Sequence, residues 1–255
     1  MTLATSLKNA ASELSGNLSV KDVRIGLSYI AVQLEDERTG LAYTFRDSLS
    51  GGCSPFTTYR PLAGQTANEL LELFESEHPI ATALALATAN ALFNTTDQDY
   101  LRGPALDHLL LTADDQVGMV GNFTPLVNDI RPKVGKLYIF ERQPRPQENI
   151  LDIAEAELIL PHCQVALITA TAIINHSIDR LLALTEGCRD VIILGSSTPL
   201  AAKVFRQTPV TRLSGILAKS PAKILSIVSE GGGTPAFKQA ATKVNLLLHR
   251  TPNHA

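Results

Sequence analysis

The sequence has few cysteines, and their spacing is irregular. Cys53, Cys163 and Cys188 are odd in number, lie far apart and include no C-x-x-C pair. This pattern argues against a disulfide framework and against a structural zinc site. Cys163 and Cys188 flank apolar strands and are predicted to be small buried side chains. Cys53 follows two glycines, so it is either an accessible thiol or part of a flexible loop.

The sequence also lacks a strong net charge, a basic run and a long apolar run. Lys and Arg number 22 and Asp and Glu number 25, which gives a net charge of -3. We therefore expect neither a nucleic acid nor an anionic membrane as a partner. No apolar stretch is long enough to cross a bilayer, and the N-terminus has no charged lead followed by an apolar core. These absences predict a cytoplasmic protein.

The G-x-S-x-G, P-loop and H-E-x-x-H motifs are missing, which disfavours serine hydrolase, P-loop NTPase and zincin chemistry.

Residues 1–102 are predicted to form a small α+β domain. An amphipathic helix comes first, and alternating apolar residues between 23 and 45 then predict an antiparallel hairpin. The alternation changes phase near Gly26, which predicts a bend or bulge at 26–28. Thr66 and Glu69 have the spacing of a capping box, and another helix is predicted to begin at Pro79.

Residues 103–249 are predicted to form an α/β domain, and residues 250–255 a tail. The predicted strands are Gln116–Gly121, Leu137–Glu141, Val165–Thr169, Val191–Leu194 and Leu213–Leu217. The predicted helices are Thr124–Ile130, Ile174–Leu184, Pro199–Phe205 and Pro221–Ser229, and a last helix runs to about Leu248. The strands are continuous apolar runs, which is typical of a sheet covered by helices on both faces. Right-handed crossovers would make this a doubly wound parallel sheet.

A ligand crevice is predicted where these strands end. Gly121, Asn122 and Phe123 form the turn after the first strand, while Glu141 and Arg142 follow the second. Ligands bind at the carboxyl ends of strands in open α/β sheets. The glycine spacing differs from G-x-G-x-x-G, but Glu141 lies where a ribose-binding acid would be. The alternative is that Gly121 allows a tight turn and nothing more.

Two further turns are predicted to face the same crevice. Gly195, Ser196, Ser197 and Thr198 follow the fourth strand; Thr198 has the character of a helix N-cap, and the helix start could hold a carboxylate or phosphate. Thr171 and Asn175 follow the third strand, and Asn175 is alternatively a cap of the next helix.

Three residues are candidates for a transition-metal site. Glu141, His176 and Cys53 would together supply oxygen, nitrogen and sulfur ligands, provided that the fold brings them together. The alternative for His176 is an ordinary surface imidazole.

Several motifs of the C-terminal half resemble the putative heavy-metal-chelation domain family. They include Val117-Gly-Met-Val-Gly-Asn-Phe123, Glu157-Leu-Ile-Leu-Pro-His-Cys163, Leu167-Ile-Thr-Ala-Thr171, Ile174-Asn-His-Ser-Ile-Asp-Arg-Leu-Leu182, Ile193-Leu-Gly-Ser-Ser-Thr-Pro-Leu200 and Leu213-Ser-Gly-Ile216. The resemblance implies a Rossmann-like C-terminal domain, an N-terminal domain like that of enolase, and a cleft between them. It also implies handling of a metal ion or a metal-bearing small molecule.

Three functions follow from these observations. The first is the binding of a metal ion or a metal-chelating small molecule in an interdomain cleft. The second is an enzyme that acts on a carboxylated or phosphorylated small molecule with a nucleotide-type cofactor such as S-adenosylmethionine or NAD. The third is a non-catalytic scaffold. Self-association into a homo-oligomer is compatible with all three.

Overall fold

The computed structural model describes residues 1–45, 60–107 and 109–248. Its N-terminal part contains a three-stranded antiparallel sheet with the order β1-β2-β3. The strands are β1 (Val20–Ile25), β2 (Tyr29–Leu34) and β3 (Thr39–Tyr43). The bend predicted at 26–28 is in fact a hairpin turn, in which Gly26 N donates to Tyr29 O. The alternation changes phase there because a second strand begins.

Three α-helices accompany this sheet: α1 (Leu3–Ser15), α2 (Ala67–Leu71) and α3 (Pro79–Phe93). The predicted capping box starts α2, with Thr66 Oγ1 accepting from Glu69 N and the Glu69 carboxylate accepting from Thr66 N. Every residue of α3 after Pro79 is buried. At Gly40 the backbone of β3 meets this helix so closely that a Cβ atom would lie 2.1 Å from Ala87 O. The small sheet and α3 therefore pack as one layer on another.

The second sheet has eight strands in the order β4-β11-β10-β9-β8-β5-β6-β7. Strands β5 to β10 run parallel, whereas β11 is antiparallel to β10 and β4 is antiparallel to β11. The chain leaves β5 toward one edge through β6 and β7, and then returns to the other side of β5 as β8. The strand order thus reverses between β5 and β8, and the predicted α/β class is confirmed. The strands are β4 (Leu101–Arg102), β5 (Gln116–Val120), β6 (Lys136–Glu141), β7 (Ile150–Asp152), β8 (Val165–Thr169), β9 (Asp190–Leu194), β10 (Arg212–Ala218) and β11 (Ala241–Leu247).

The helix predicted to run to Leu248 was wrong, because this segment is β11. It pairs with β10 over seven residues, from Ala241 opposite Ala218 to Leu247 opposite Arg212. The backbone hydrogen bonds that a helix would satisfy internally are satisfied here by the neighbouring strand. β4 in turn pairs with β11, so residues 101 and 102 belong to the large sheet. The domain boundary after residue 102 stays a prediction.

Short helices connect the strands of the large sheet. They are α4 (Thr124–Ile130), α5 (Ala156–Ile159), α6 (Thr171–Ile174), α7 (Ile178–Ala183), α8 (Ala202–Phe205) and α9 (Pro221–Ser229). Short 3-10 helices lie at Glu72–Glu75, Arg131–Lys133, Pro146–Glu148, Ile153–Glu155, Leu160–His162 and Thr234–Gln239. The single helix predicted over 174–184 is therefore two helices, separated by a turn at residues 175–177. No helix of the described residues is long and apolar enough to cross a membrane.

The core lies on both faces of the large sheet. On one face, Val120, Phe140 and Ile168 pack into a cluster that continues into α1, α2 and α3. On the other face, Val117 and Met119 pack with residues of α4. Alternate residues of β5 thus belong to opposite clusters, which explains its unbroken apolar sequence.

Candidate functional site

A cavity of about 670 Å³ lies at the carboxyl ends of the parallel strands. Its floor comes from the turn after β5, the end of β6, the loops after β8 and β9, and parts of β10 and β11. Its roof comes from Tyr29, Tyr43 and Phe45, on and just after the strands of the small sheet. Eight of the predicted crevice residues line it: Gly121, Asn122, Phe123, Glu141, Thr171, Gly195, Ser196 and Ser197.

The turn after β5 is held by the end of β6. Gly121 has a φ of 94° and donates its N–H to Phe140 O at 2.9 Å. The next amide, Asn122 N, donates to Glu141 Oε1 at 2.7 Å. A Cβ atom on Gly121 would also lie 3.0 Å from Thr169 Cβ, so a larger residue would push against the end of β8. Glu141 is thus fixed against the turn after β5, one strand from the point where the strand order reverses.

The loop after β9 opens toward the cavity without forming the predicted helix start. Gly195 has a φ of 121°, and nothing lies within 4 Å of the position that its Cβ would take. The helix predicted from Pro199 begins at Ala202, so Thr198 is not its N-cap. Thr198 does not line the cavity; it is fully buried, and its Oγ1 has no hydrogen-bond partner among the described residues.

Asn94 explains why this loop is not helical. Its Nδ2 donates to Thr198 O at 3.0 Å, and its Oδ1 accepts from Leu200 N at 2.9 Å. A side chain at the end of α3 therefore supplies the hydrogen bonds that a helical turn would supply. Residues 198–200 can therefore stay non-helical while these two backbone groups remain hydrogen-bonded.

Hydrogen bonds to the loop after β9 connect the roof of the cavity to its floor. Tyr43 N donates to Ser197 Oγ at 2.9 Å. Asn90 of α3 is fully buried and donates Nδ2 both to Leu41 O at 2.7 Å and to Ser197 O at 3.0 Å. The small sheet, α3 and the loop after β9 thus meet at one point beside the cavity.

Aromatic rings form the roof. Tyr29 and Tyr43 are directly opposed on β2 and β3, and their rings meet edge to face at 5.9 Å. Tyr43 meets Phe45 in the same way at 5.3 Å. Arg142 is exposed and is not among the lining residues, but its guanidinium carbon lies 6.0 Å from the centre of the Phe45 ring. Sequence reasoning missed this wall, although the two tyrosines at opposed hairpin positions were a signal for it.

The remaining predicted residues lie elsewhere. Asn175 is not among the cavity residues; its Oδ1 accepts from the backbone and hydroxyl of Ser177, so it orders the turn between α6 and α7. His176 lines a separate cavity of about 460 Å³ beside α1. There its Nε2 is 3.1 Å from Ser76 O, and its φ is 58°. Cys53 lies outside the described residues.

Of the predicted metal ligands that the structure describes, Glu141 and His176 line different cavities and do not meet. Among the described residues no group of three or more His, Cys, Asp and Glu could hold a metal ion. Cys163 and Cys188 are buried, as predicted. Burial raises the pKa of the Cys163 thiol to about 12, which keeps it protonated at neutral pH and makes it a poor metal ligand.

Two family models match the chain. One matches residues 104–247 and the other residues 7–93, and both are described as "Putative heavy-metal chelation". The chain belongs to this family. The resemblance inferred from the motifs at 117–123, 193–200 and 213–216 is therefore confirmed.

Members of the heavy-metal-chelation family share this fold. A crystal structure from Desulfitobacterium hafniense superposes with a TM-score of 0.81 at 21% identity, covering 96% of this chain and 98% of that one. A structure from Pyrococcus horikoshii superposes with a TM-score of 0.85 at 20% identity, covering 97% and 100%. Both proteins have unknown function. An uncharacterised protein from Methanocaldococcus jannaschii is 22% identical over 245 residues, covering 93% of each chain.

Proposed function

We propose that the cavity between the small sheet and the large sheet binds a small organic molecule that chelates a metal ion. The family description points to metal chelation. The observation that carries the proposal is the composition of the cavity wall. Aromatic rings face a floor of glycines and hydroxyl groups, and Glu141 is the sole acidic residue among the described lining residues.

This wall suits the organic part of a metal complex better than a bare ion. A structural transition-metal site uses four side-chain ligands, mostly Cys and His, and calcium takes six or more oxygens. The described lining residues include neither His nor Cys. The ligands of the metal therefore come from the bound molecule, and the protein contacts the outside of the complex. The volume of about 670 Å³ is within the usual range for a small-molecule site.

A second candidate is an enzyme with a nucleoside-containing cofactor such as S-adenosylmethionine. Glu141 stands at the end of β6 beside the Gly121 turn, where a ribose-binding acid would be. One of its oxygens is occupied by Asn122 N, which leaves the other to accept from a ribose hydroxyl. The same bond occupies the Asn122 amide, which could otherwise bind a phosphate. This favours S-adenosylmethionine over NAD.

The experiment compares free ions with their complexes. We expect Ni²⁺, Co²⁺, Zn²⁺, Cu²⁺ and Fe²⁺ alone to bind weakly, and their 2,2′-bipyridine complexes to bind more tightly in isothermal titration. Tyr43→Leu should weaken binding of the complexes by about fivefold to tenfold, because an aromatic contact contributes about 1 kcal/mol. The matched control is Tyr138→Leu, since Tyr138 is partly exposed and lies outside the cavity.

Two outcomes would contradict the proposal. One is tighter binding of the free ions than of the complexes. The other is equal binding of the complexes to wild type and to Tyr43→Leu. A thermal-shift assay on the same protein tests the enzyme alternative. A ligand that binds the native state raises the stability of the protein by RT ln(1 + [L]/Kd). A shift with S-adenosylmethionine that Glu141→Gln removes would favour that alternative.

A further inference from the structure

The cavity has a second polar end, far from Glu141. Lys243 on β11 is the sole basic residue among the described residues that line the cavity. Five strand spacings separate β6 from β11 in the sheet order. At about 4.8 Å for each spacing, the two backbones are about 24 Å apart. Glu141 and Lys243 therefore contact different parts of a ligand, or different ligands.

Two buried hydroxyl groups line the cavity on the side of β11, one on the adjacent strand β10 and one just after β9, two strands away. Ser214 is 8% exposed and Ser196 is 6% exposed, and both line the cavity. Neither hydroxyl hydrogen-bonds to another described residue. Neither oxygen is among the fully enclosed polar atoms that lack a partner, so both are open to the cavity. A buried hydroxyl without a protein partner is stabilised by a ligand group that hydrogen-bonds to it.

The strand register places Ser214 and Lys243 on the same face. Lys243 is opposite Ile216 and Ser214 is opposite Asn245, so the two residues are diagonal neighbours across β10 and β11. Such neighbours are about 7 Å apart at the backbone, which a lysine side chain spans easily. Lys243 is exposed and forms no ion pair with any described residue.

The loop after β9 leaves room for an anion at this end. Gly195 has open space where its Cβ would lie, and the Ser196 side chain follows immediately. One ammonium group and two hydroxyl donors match the acceptors of one carboxylate. Ile216 and the aromatic roof supply apolar contacts for the carbon skeleton that carries it.

We propose that Lys243, Ser214 and Ser196 form a subsite for the carboxylate of an organic acid. The bound molecule is thus oriented with its acidic end at β10 and β11. This inference rests on the proposed function only in taking this cavity as the ligand site, and it identifies the ligand as an organic carboxylate.

Two probes that contain no chelating pair of donor atoms test the subsite. They are 4-fluorobenzoate and its neutral counterpart 4-fluorobenzamide, followed by fluorine NMR without added metal. A ligand of this size should bind in the millimolar range. We expect wild type to prefer the benzoate, and Lys243→Met to weaken benzoate binding by about tenfold and to leave benzamide binding unchanged. Ser214→Ala should weaken the benzoate by about threefold to tenfold, since one hydrogen bond with a net contribution of about 1 kcal/mol is lost.

The control is Lys238→Met, because Lys238 is an exposed lysine outside this cavity. It should bind benzoate as wild type does. Charge reversal in Lys243→Glu should abolish benzoate binding. The inference is overturned if wild type binds benzoate no better than benzamide, or if Lys243→Met binds benzoate as wild type does. Failure of the metal complexes to bind, with a benzoate response that depends on Lys243, would refute the proposed function and retain the carboxylate subsite.

Discussion

Replacing Asn90 by leucine should destabilise the folded protein by about 2 kcal/mol. The side chain is fully buried, and its Nδ2 satisfies two backbone carbonyls, Leu41 O and Ser197 O. Leaving a buried acceptor without its donor costs about 1–3 kcal/mol. Taking about 1.5 kcal/mol for each carbonyl gives a loss of about 3 kcal/mol.

A smaller gain opposes this loss. Asn90 Oδ1 has no hydrogen-bond partner among the described residues, so wild type already carries one buried unsatisfied acceptor. Leucine has a similar size and removes that oxygen, which returns about 1 kcal/mol. The net effect is therefore about 2 kcal/mol.

Urea unfolding measures this difference directly. The midpoint for Asn90→Leu should fall while the slope stays unchanged, because the substitution leaves the surface exposed on unfolding almost constant. Asn128→Leu is the control, since Asn128 is an exposed residue of α4 and its replacement should change stability by less than about 0.5 kcal/mol. If Asn90→Leu were as stable as wild type, the two hydrogen bonds would contribute nothing net and the reasoning would be refuted.

Two other substitutions test the packing and a buried ion pair. Gly40→Ala should cost about 3 kcal/mol or more, because its Cβ would lie 2.1 Å from Ala87 O. By contrast, Gly187→Ala should change stability by less than about 1 kcal/mol, since its φ is not positive and its Cβ would lie 3.7 Å from Pro161 O, an ordinary contact. Equal melting temperatures for these two variants would contradict the close contact at Gly40. Asp115 is buried, and hydrogen bonds from Arg189 lower the pKa of its carboxyl. Its contribution to stability is therefore present above the unfolded pKa of about 3.9 and is lost as the pH falls through the lower folded value. Asp115→Asn should be about 1–2 kcal/mol less stable than wild type at pH 7, a figure reduced because Arg189 is half-exposed. The gap should narrow as the pH falls below about 3.9. A gap that stays constant with pH in urea unfolding would show that the charge of Asp115 contributes nothing.

The turn after β5 and the end of β6 were predictable because the sequence patterns that specify them lie within a few residues. An apolar run followed by Gly121 predicts a buried strand and a tight turn, and the end of β6 follows within 20 residues. Parallel strands bring their carboxyl ends to one edge, so the proximity of Asn122 and Glu141 follows from the topology alone. The contact at 2.7 Å between them agrees with that expectation.

Elements that depend on distant partners were not predictable in this way. Pro199 after Thr198 is a good helix start by local rules. The loop is not helical because the side chain of Asn94, more than 100 residues earlier, hydrogen-bonds to Thr198 O and Leu200 N. In β11, the alternation of Lys243, Val244 and Asn245 was the available strand signal, but pairing with β10 decided the outcome.

The relative positions of the predicted metal ligands could not be predicted for a different reason. The sequence shows that Glu141 and His176 both follow strands of one sheet. It does not show that two short helical segments place His176 beside Ser76, in another cavity. Likewise, nothing in the hairpin sequence says which face of β2 and β3 will cover the large sheet. The hairpin pairing was thus a signal that Tyr29 and Tyr43 meet, but their position over the cavity became visible only with the packing of the two sheets.

The contacts around α3 bear on how a ligand enters. Opening the cavity by lifting the small sheet off α3 would break the bond from Tyr43 N to Ser197 Oγ and the bond from Asn90 Nδ2 to Leu41 O. It would also separate β3 from α3 at Gly40, where backbone meets backbone. The protein itself supplies both partners of each of these contacts, so they do not depend on a ligand. A cavity that is formed in advance loses less conformational entropy on binding. Under the proposed function, ligand selection therefore depends on the groups that the fixed wall presents, namely aromatic faces, free hydroxyl groups, one carboxylate and one distant ammonium group.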